Sequence, residues 1–395
     1  MCFSSLLMGY GPLIDRDRRI LALQLRFSTL NGKPVALSWL YAKVAGDRPI
    51  QGQTLLISAP WADFDPGMVA IEPVPGLWIE VPAWVAEQPA YEAMLLDLHE
   101  RGMGLVLQGR PSVNLPACLL PIFRLAMVDV AEERRLQSGG LRGAVASESP
   151  ARRNMAIVQT GVNTVASMEQ AFEAGAYAVA GWLMPEPVDA GAVVGSADYA
   201  GVLNLLKMVE KDAALRDIEA VIRQEPEIAF RLLQHIDSVG FGLSVPVQNF
   251  QHAVMFLGYQ GLRRWLSMML VSVSPDENRR PLMLASVRRG LVLERLAGRG
   301  AESEVREELF LLGVFSLLDR ALGQSFEQLL AQVSVPESVA EALVLRTGPY
   351  AALLEIVEAI EYGPDPALLA YLDNCHISLE ECNAVVLDTL RVTTL

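Results

Sequence analysis

The chain has 395 residues, 52% hydrophobic and 20% charged, with a formal net charge of −14. The length suits two ordinary domains, and the composition is too apolar and too weakly charged for long disorder. The acidic balance argues against nucleic-acid binding, which needs clustered Lys and Arg to neutralise phosphates.

In chain order, Met1–Tyr10 is apolar but has no preceding positive charge and no small-residue cleavage site, so no signal peptide is expected. No run of about 18 apolar residues follows, so no membrane span is expected either. Short apolar runs then read as buried strands: Leu21–Phe27, Thr54–Ser58, Leu77–Val81, Gly104–Leu107, Phe123–Val130, Met155–Val158 and Tyr177–Trp182. They lack polar alternation and are bounded by Gly, Pro or charge. Amphipathic helices at Tyr91–Arg101 and Thr164–Ala174 lie between the later strands, and Gly175 is a suitable cap for the second. Strands alternating with helices predict a parallel sheet covered by helices, and a barrel fits best.

Pro185–Ser196 reads as the linker, with Pro and Gly and no helical period. Beyond it the pattern is helix after helix. Tyr199–Lys211, Ala213–Arg223, Glu227–Val239, Val247–Leu257, Gly261–Val273, Pro281–Leu296 and Glu302–Leu322 come first. Shorter helices are expected near Ser325, Pro336, Ala351, Asp365 and Ser378. The basic runs Arg16–Arg19, Arg152–Arg153, Arg263–Arg264 and Arg279–Arg280 read as solvated faces. Cys2, Cys118, Cys375 and Cys382 form no CxxC pair, which predicts reduced thiols and a cytoplasmic setting. The Cys375–His376…Cys382 spacing supplies too few ligands for zinc.

Within the second half, Ile222–Gly258 reads IRQEPEIAFRLLQHIDSVGFGLSVPVQNFQHAVMFLG. It resembles the signature of HDOD domains, I-x-x-D-P, a helix ending near N-S, a small loop, then S-I-x-x-A-I-x-x-L-G. The counterparts are Ile222, Glu225–Pro226, Leu232–Leu233, Asp237–Ser238, Ala253, Leu257 and Gly258. Glu225 replaces Asp, and Asp237 replaces Asn. HDOD domains resemble metal-dependent HD phosphohydrolases without the His-Asp ligands. The corresponding run here is Phe310–Asp319, with Ser316 and Leu317 at the His and Asp positions, and neither side chain suits a divalent cation. None of His99, His235, His252 and His376 forms a His-Asp pair.

Pro12-Leu13-Ile14-Asp15 followed by Leu23–Phe27 is similar to the P-I-F-D…Y-E-L-L-F-R opening of bacterial signalling proteins that join an EAL domain to an HDOD domain. EAL domains are barrel phosphodiesterases that cleave cyclic di-GMP with two divalent cations. The resemblance places the motif glutamate at Gln24, its Arg at Ser28 and an Asn ligand at Ser58. Glu80 is kept. The paired aspartates fall on Gln108 and Gly109, and a Lys falls on Met127, while Asp129 is kept. Two late glutamates become Thr160 and Asn163, and the Q-G-Y/F motif becomes Ala180-Gly181-Trp182. Gln24, Ser58, Glu80, Gln108, Asp129, Asn163 and Ala180 would then be a vestigial pocket, as Ser316 and Leu317 would be vestigial HD positions. Two surviving carboxylates do not balance two divalent cations and also supply a base.

The expected architecture is therefore α/β plus all-α. A degenerate, shortened TIM-like (β/α) barrel at 8–188 precedes an HDOD-like helical bundle at 196–395. The expected function is that of a non-catalytic adaptor, not an enzyme, with no cofactor or metal site, acting in the bacterial cytoplasm through other signalling proteins. The alternative is a receptor that binds cyclic di-GMP without hydrolysis, with Arg110 as a phosphate contact. Self-association is a further expectation for partners; nucleic acid and membranes are not. The stretch 30–54 leaves room for one helix at most. That predicts an open barrel edge, with Trp39, Tyr41, Trp61 and Trp84 either on a contact surface or packed at the rim.

Overall fold

A computed structural model describes the chain except residues 1–2, 31, 33–34, 47–49, 51–52, 61–64, 112–114, 130–154, 183–196, 225–227, 229–230, 233–249, 273–277, 279, 299, 332–334 and 393–395. The expected linker, Pro185–Ser196, and most of the HDOD signature lie outside the described residues. By compactness the chain divides into a barrel unit, Met1–Met184 with Glu355–Leu395, and a helical unit, Pro185–Leu354. The C-terminal segment thus belongs with the barrel, whereas the sequence suggested a single cut near residues 188–196.

The barrel unit has eight strands in a closed ring: β1 Leu6–Asp15, β2 Ile20–Thr29, β3 Thr54–Ser58, β4 Leu77–Pro82, β5 Gly104–Gln108, β6 Phe123–Asp129, β7 Ala156–Thr160 and β8 Ala178–Ala180. β1 runs antiparallel to both β2 and β8, and every other neighbouring pair is parallel. β1 is the strand the sequence reading missed. Gly9, Gly11 and Pro12 interrupt its apolar run, and such residues normally argue against a strand. Because β1 closes the ring, no strand edge is left open, and the expected open edge is corrected. Tyr41 is buried in α1 (Leu37–Ala45) and its hydroxyl accepts from the Val74 N–H at 2.8 Å. Trp39 packs 6.0 Å from Phe3, Trp84 is exposed, and Trp61 lies outside the described residues.

Alternate residues of each strand face inward. Leu13, Leu56, Val106, Leu125, Met127 and Val158 fill the middle of the barrel as an apolar plug. Outside pack α2 (Ala83–Ala86), α3 (Pro89–Glu100) and α4 (Val165–Glu173). Thr164 and Ser167 form a reciprocal capping box at the start of α4, which satisfies two orphan N–H groups. Arg16 and Arg18 are not simply solvated: both guanidinium groups lie over the Phe172 ring, and Arg18 pairs with Glu169.

The helical unit contains α5 (Ala197–Glu210), α6 (Leu215–Gln224), α7 (Phe250–Ser272), α8 (Arg280–Leu296), α9 (Ser303–Phe315), α10 (Leu318–Leu322), α11 (Phe326–Leu330), α12 (Glu337–Ala340) and a π-turn at Glu341–Leu345. In α7 the chain leaves helical geometry at Gly258 (φ 68°), where the sequence placed a break. The helix expected over Glu302–Leu322 is split at Ser316–Leu317. α8 and α9 cross backbone to backbone at Gly290 and Gly313. Arg264 is no solvated charge: it makes a two-pronged bond to Glu294 and lies 3.6 Å from the Phe310 ring centre.

α13 (Ala351–Tyr362), α14 (Ala367–Asn374) and α15 (Leu379–Val392) complete the chain. α15 fastens to the barrel at two places. Buried Asn383 donates to the carbonyls of Phe3 and Leu6 at 3.1 and 2.8 Å. Arg391 donates to Val44 O from Nε at 2.9 Å and to Lys43 O at 2.7 Å, capping the C-terminal end of α1. A cation there satisfies orphan carbonyls and favours the helix dipole.

Candidate functional site

Strand periodicity decides which residues reach the barrel mouth. Ala22, Leu56, Val106, Leu125 and Val158 belong to the plug. The inward residues two positions further along are Gln24, Ser58, Gln108 and Thr160, with Met127 still part of the plug and Asp129 above it. Glu80 stands two beyond Trp78, which packs against the same plug. The expected pocket residues of β2 to β7 therefore converge at the C-terminal ends of the parallel strands. Ala180 belongs to the plug itself, and Asn163 lies in the exposed loop after β7.

Glu80 is 3% exposed. Its carboxylate accepts from Gln24 Nε2 at 3.3 Å and from the Ser58 hydroxyl, and Arg26 is a nearby countercharge. Burial nevertheless pushes its pKa above the ordinary value, because these partners only partly offset lost hydration. Across the mouth Gln108 and Asp129 are exposed, and Thr160 Oγ1 donates to Asp129 Oδ2 at 3.3 Å. Trp182 is buried, donates from Nε1 to Tyr10 O at 3.1 Å and meets the Tyr10 ring edge-on.

Arg26 was missed in the sequence, although parity could have found it. If Gln24 faces inward, so does the residue two further along. Its Nη2 donates to Glu361 O at 3.0 Å and to Tyr10 O at 3.4 Å. Burial lowers its pKa, and the Glu80 charge opposes that shift.

In the helical unit, Ser316 and Leu317 are buried at the break between α9 and α10. The Ser316 hydroxyl donates to Gly313 O at 2.7 Å and accepts from Arg289 Nη1 at 3.0 Å. Arg289 is itself buried, and burial pushes the neighbouring Asp319 carboxyl upward. The sequence reading did not single out Arg289, because a buried arginine in an apolar helix has no local signature.

Residues 201–338 match the HDOD domain family. The chain is 27% identical over 67% of its length to "Cyclic di-GMP phosphodiesterase CdgJ" of Vibrio cholerae, covering 61% of that protein. It is 22% identical over 72% of its length to "Uncharacterized protein YuxH" of Bacillus subtilis, covering 70% of that protein. The chain thus spans about three fifths of the Vibrio cholerae relative. Among solved structures, a standalone EAL protein from Vibrio cholerae O395 in its c-di-GMP bound form matches 45% of this chain and 89% of that one, at 16% identity and a TM-score of 0.33.

These findings correct one expectation. The chain was expected not to be an enzyme, and a relative aligned over two thirds of it carries the name of a phosphodiesterase. The expectation rested on the combined loss of nearly all the motif ligands, and motif erosion by itself does not exclude activity. The donor set can still be tested against the metals that EAL barrels use. Glu80 is buried and bonded to Gln24 and Ser58, and Asp129 is bonded to Thr160. Among the described residues no three His, Cys, Asp or Glu side chains are placed so that they could hold a metal ion. That set does not fit two divalent cations, which need several anionic oxygens each.

Proposed function

We propose that this chain is a bacterial signal-transduction regulator of the cytoplasm. Its HDOD part docks other signalling proteins, and its barrel mouth recognises cyclic di-GMP or a related nucleotide. The observation that carries the reading is the mouth itself. Gln24, Ser58 and Gln108 offer neutral hydrogen-bonding groups, and Arg26 offers a fixed positive charge of the kind a dinucleotide phosphate pairs with. The match of residues 201–338 to the HDOD family and the name of the Vibrio cholerae relative support the same pathway. Among the described residues no helix is long and apolar enough to cross a membrane.

Calorimetry of the full chain with cyclic di-GMP, with and without magnesium, tests the nucleotide reading. Saturable one-site heat supports it, and no heat under either condition overturns it. Chromatography of the same mixtures measures hydrolysis, the activity for which the Vibrio cholerae relative is named. Proximity labelling by the full chain, against a chain lacking residues 197–350, tests docking. Partners labelled equally by both would overturn it.

A further inference from the structure

The mouth carries a charge of its own. β2 turns Arg26 toward the same interior as Gln24, above the apolar plug and beside the buried carboxylate of Glu80. Two carbonyl groups, Glu361 O and Tyr10 O, hold Nη2. The closeness of Gly9 to Gly363, where an added Cβ would meet backbone carbon at 2.6 Å, keeps the Glu361 segment against β1. The guanidinium is thus fixed by backbone, which does not move as a side-chain partner would. Its Nε–H is buried and has no hydrogen-bond acceptor among the described residues. A guanidinium carries five donors in a planar fork that matches a phosphate edge, and an unused buried donor is costly until an acceptor arrives. The other charges near Arg26 are Glu80, which it offsets, buried Glu361, whose Oε1 accepts from the Tyr10 hydroxyl at 3.4 Å, and exposed Asp129, whose Oδ2 accepts from Thr160.

We propose that Arg26 is the anion-binding group of this mouth. It takes a non-bridging phosphate oxygen of the cyclic dinucleotide, so recognition needs no divalent cation. The inference rests on the nucleotide reading above and adds to it a residue and a metal independence. Arg26 stands two positions along β2 from Gln24, and two before Ser28, where the motif arginine is lost.

The test is calorimetry of the full chain with cyclic di-GMP in EDTA, for the wild type, R26K, E80Q and the double variant R26M/E80Q. The double variant removes both charges, so neither is left buried alone, and thermal melts confirm folding. The wild type is expected to bind in EDTA. R26M/E80Q is expected to lose affinity by about ten- to a hundredfold, the range for a charge-assisted hydrogen bond. R26K should fall between, since an ammonium lacks the fork. E80Q alone should bind more tightly, because the competing carboxylate is gone. Equal binding by the wild type and the double variant, or wild-type binding only with magnesium, would overturn the role of Arg26 and leave the nucleotide reading standing. If the double variant fails to fold, R26K decides: undiminished affinity overturns the proposal. No wild-type binding in any buffer removes the nucleotide reading and this inference with it.

Discussion

Replacing Arg391 by Ala should loosen the C-terminal segment from the barrel. The Arg391 side chain is 12% exposed and bonds the carbonyls of Lys43 and Val44, with Nε and Nη2 sharing the work. Hydrogen bonds from a charged donor contribute about 1.5–3 kcal/mol net, and a cation at a helix C-terminus up to about 2 kcal/mol. The two figures describe the same contact and do not add. Part of the loss is recovered, because solvent can reach the end of α1 once the side chain is gone. We therefore expect R391A to cost about 2 kcal/mol, which for a unit of this size corresponds to a drop of about 4–8 °C in its melting transition. R391K should cost about half as much, since Lys keeps the charge but not the fork. Scanning calorimetry of the full chain is the assay, because two units unfold as more than one transition. Protease mapping would show cleavage rising first within residues 355–395. A barrel transition that stays in place in R391A would refute the claim that this segment is anchored through α1.

Three further outcomes follow from particular side chains. Glu80 has a folded-state pKa above its ordinary 4.5, so the native state binds the proton more tightly than the unfolded chain. Its contribution is fully present below that value and is lost as pH rises through the raised one. The stability of E80Q relative to wild type should therefore increase from pH 4.5 upward, and a flat difference in denaturant midpoints would contradict the burial argument. G313A should destabilise the helical unit by about 3 kcal/mol and leave the barrel transition in place, because overpacking a backbone crossing cannot be relieved by a side-chain shift. The added Cβ would lie 2.2 Å from Gly290 N. Cys382 is fully buried with its thiol pushed up to about 12, first by burial and then by Glu381, so at pH 8 iodoacetamide should label exposed Cys118 and spare Cys382. Peptide mapping that finds Cys382 alkylated in the folded chain would count against that burial.

What could be read locally was read well. Thr54–Ser58 begins and ends where the apolar run does, and Leu77–Pro82 and Gly104–Gln108 extend theirs by one residue. Strand and helix periods are properties of neighbouring residues, so the alternation of elements, the change of texture near residue 190 and most of the mouth positions were legible. β1 was not, since its glycines and proline disfavour an isolated strand and only pairing with β2 and β8 on either side makes it one. The break at Ser316–Leu317 was hidden in a mostly apolar run that only Gly313 and Ser316 interrupt.

The sequence by itself determined the two kinds of architecture, because period is written along the chain. Only the tertiary structure decided that residues 355–395 belong to the barrel and that Arg26 occupies its mouth. Those facts rest on bonds such as Arg26 to Glu361 and Asn383 to Phe3, between residues more than 300 positions apart. No local pattern encodes such pairs; they exist only after the ring has closed and both groups have lost their water.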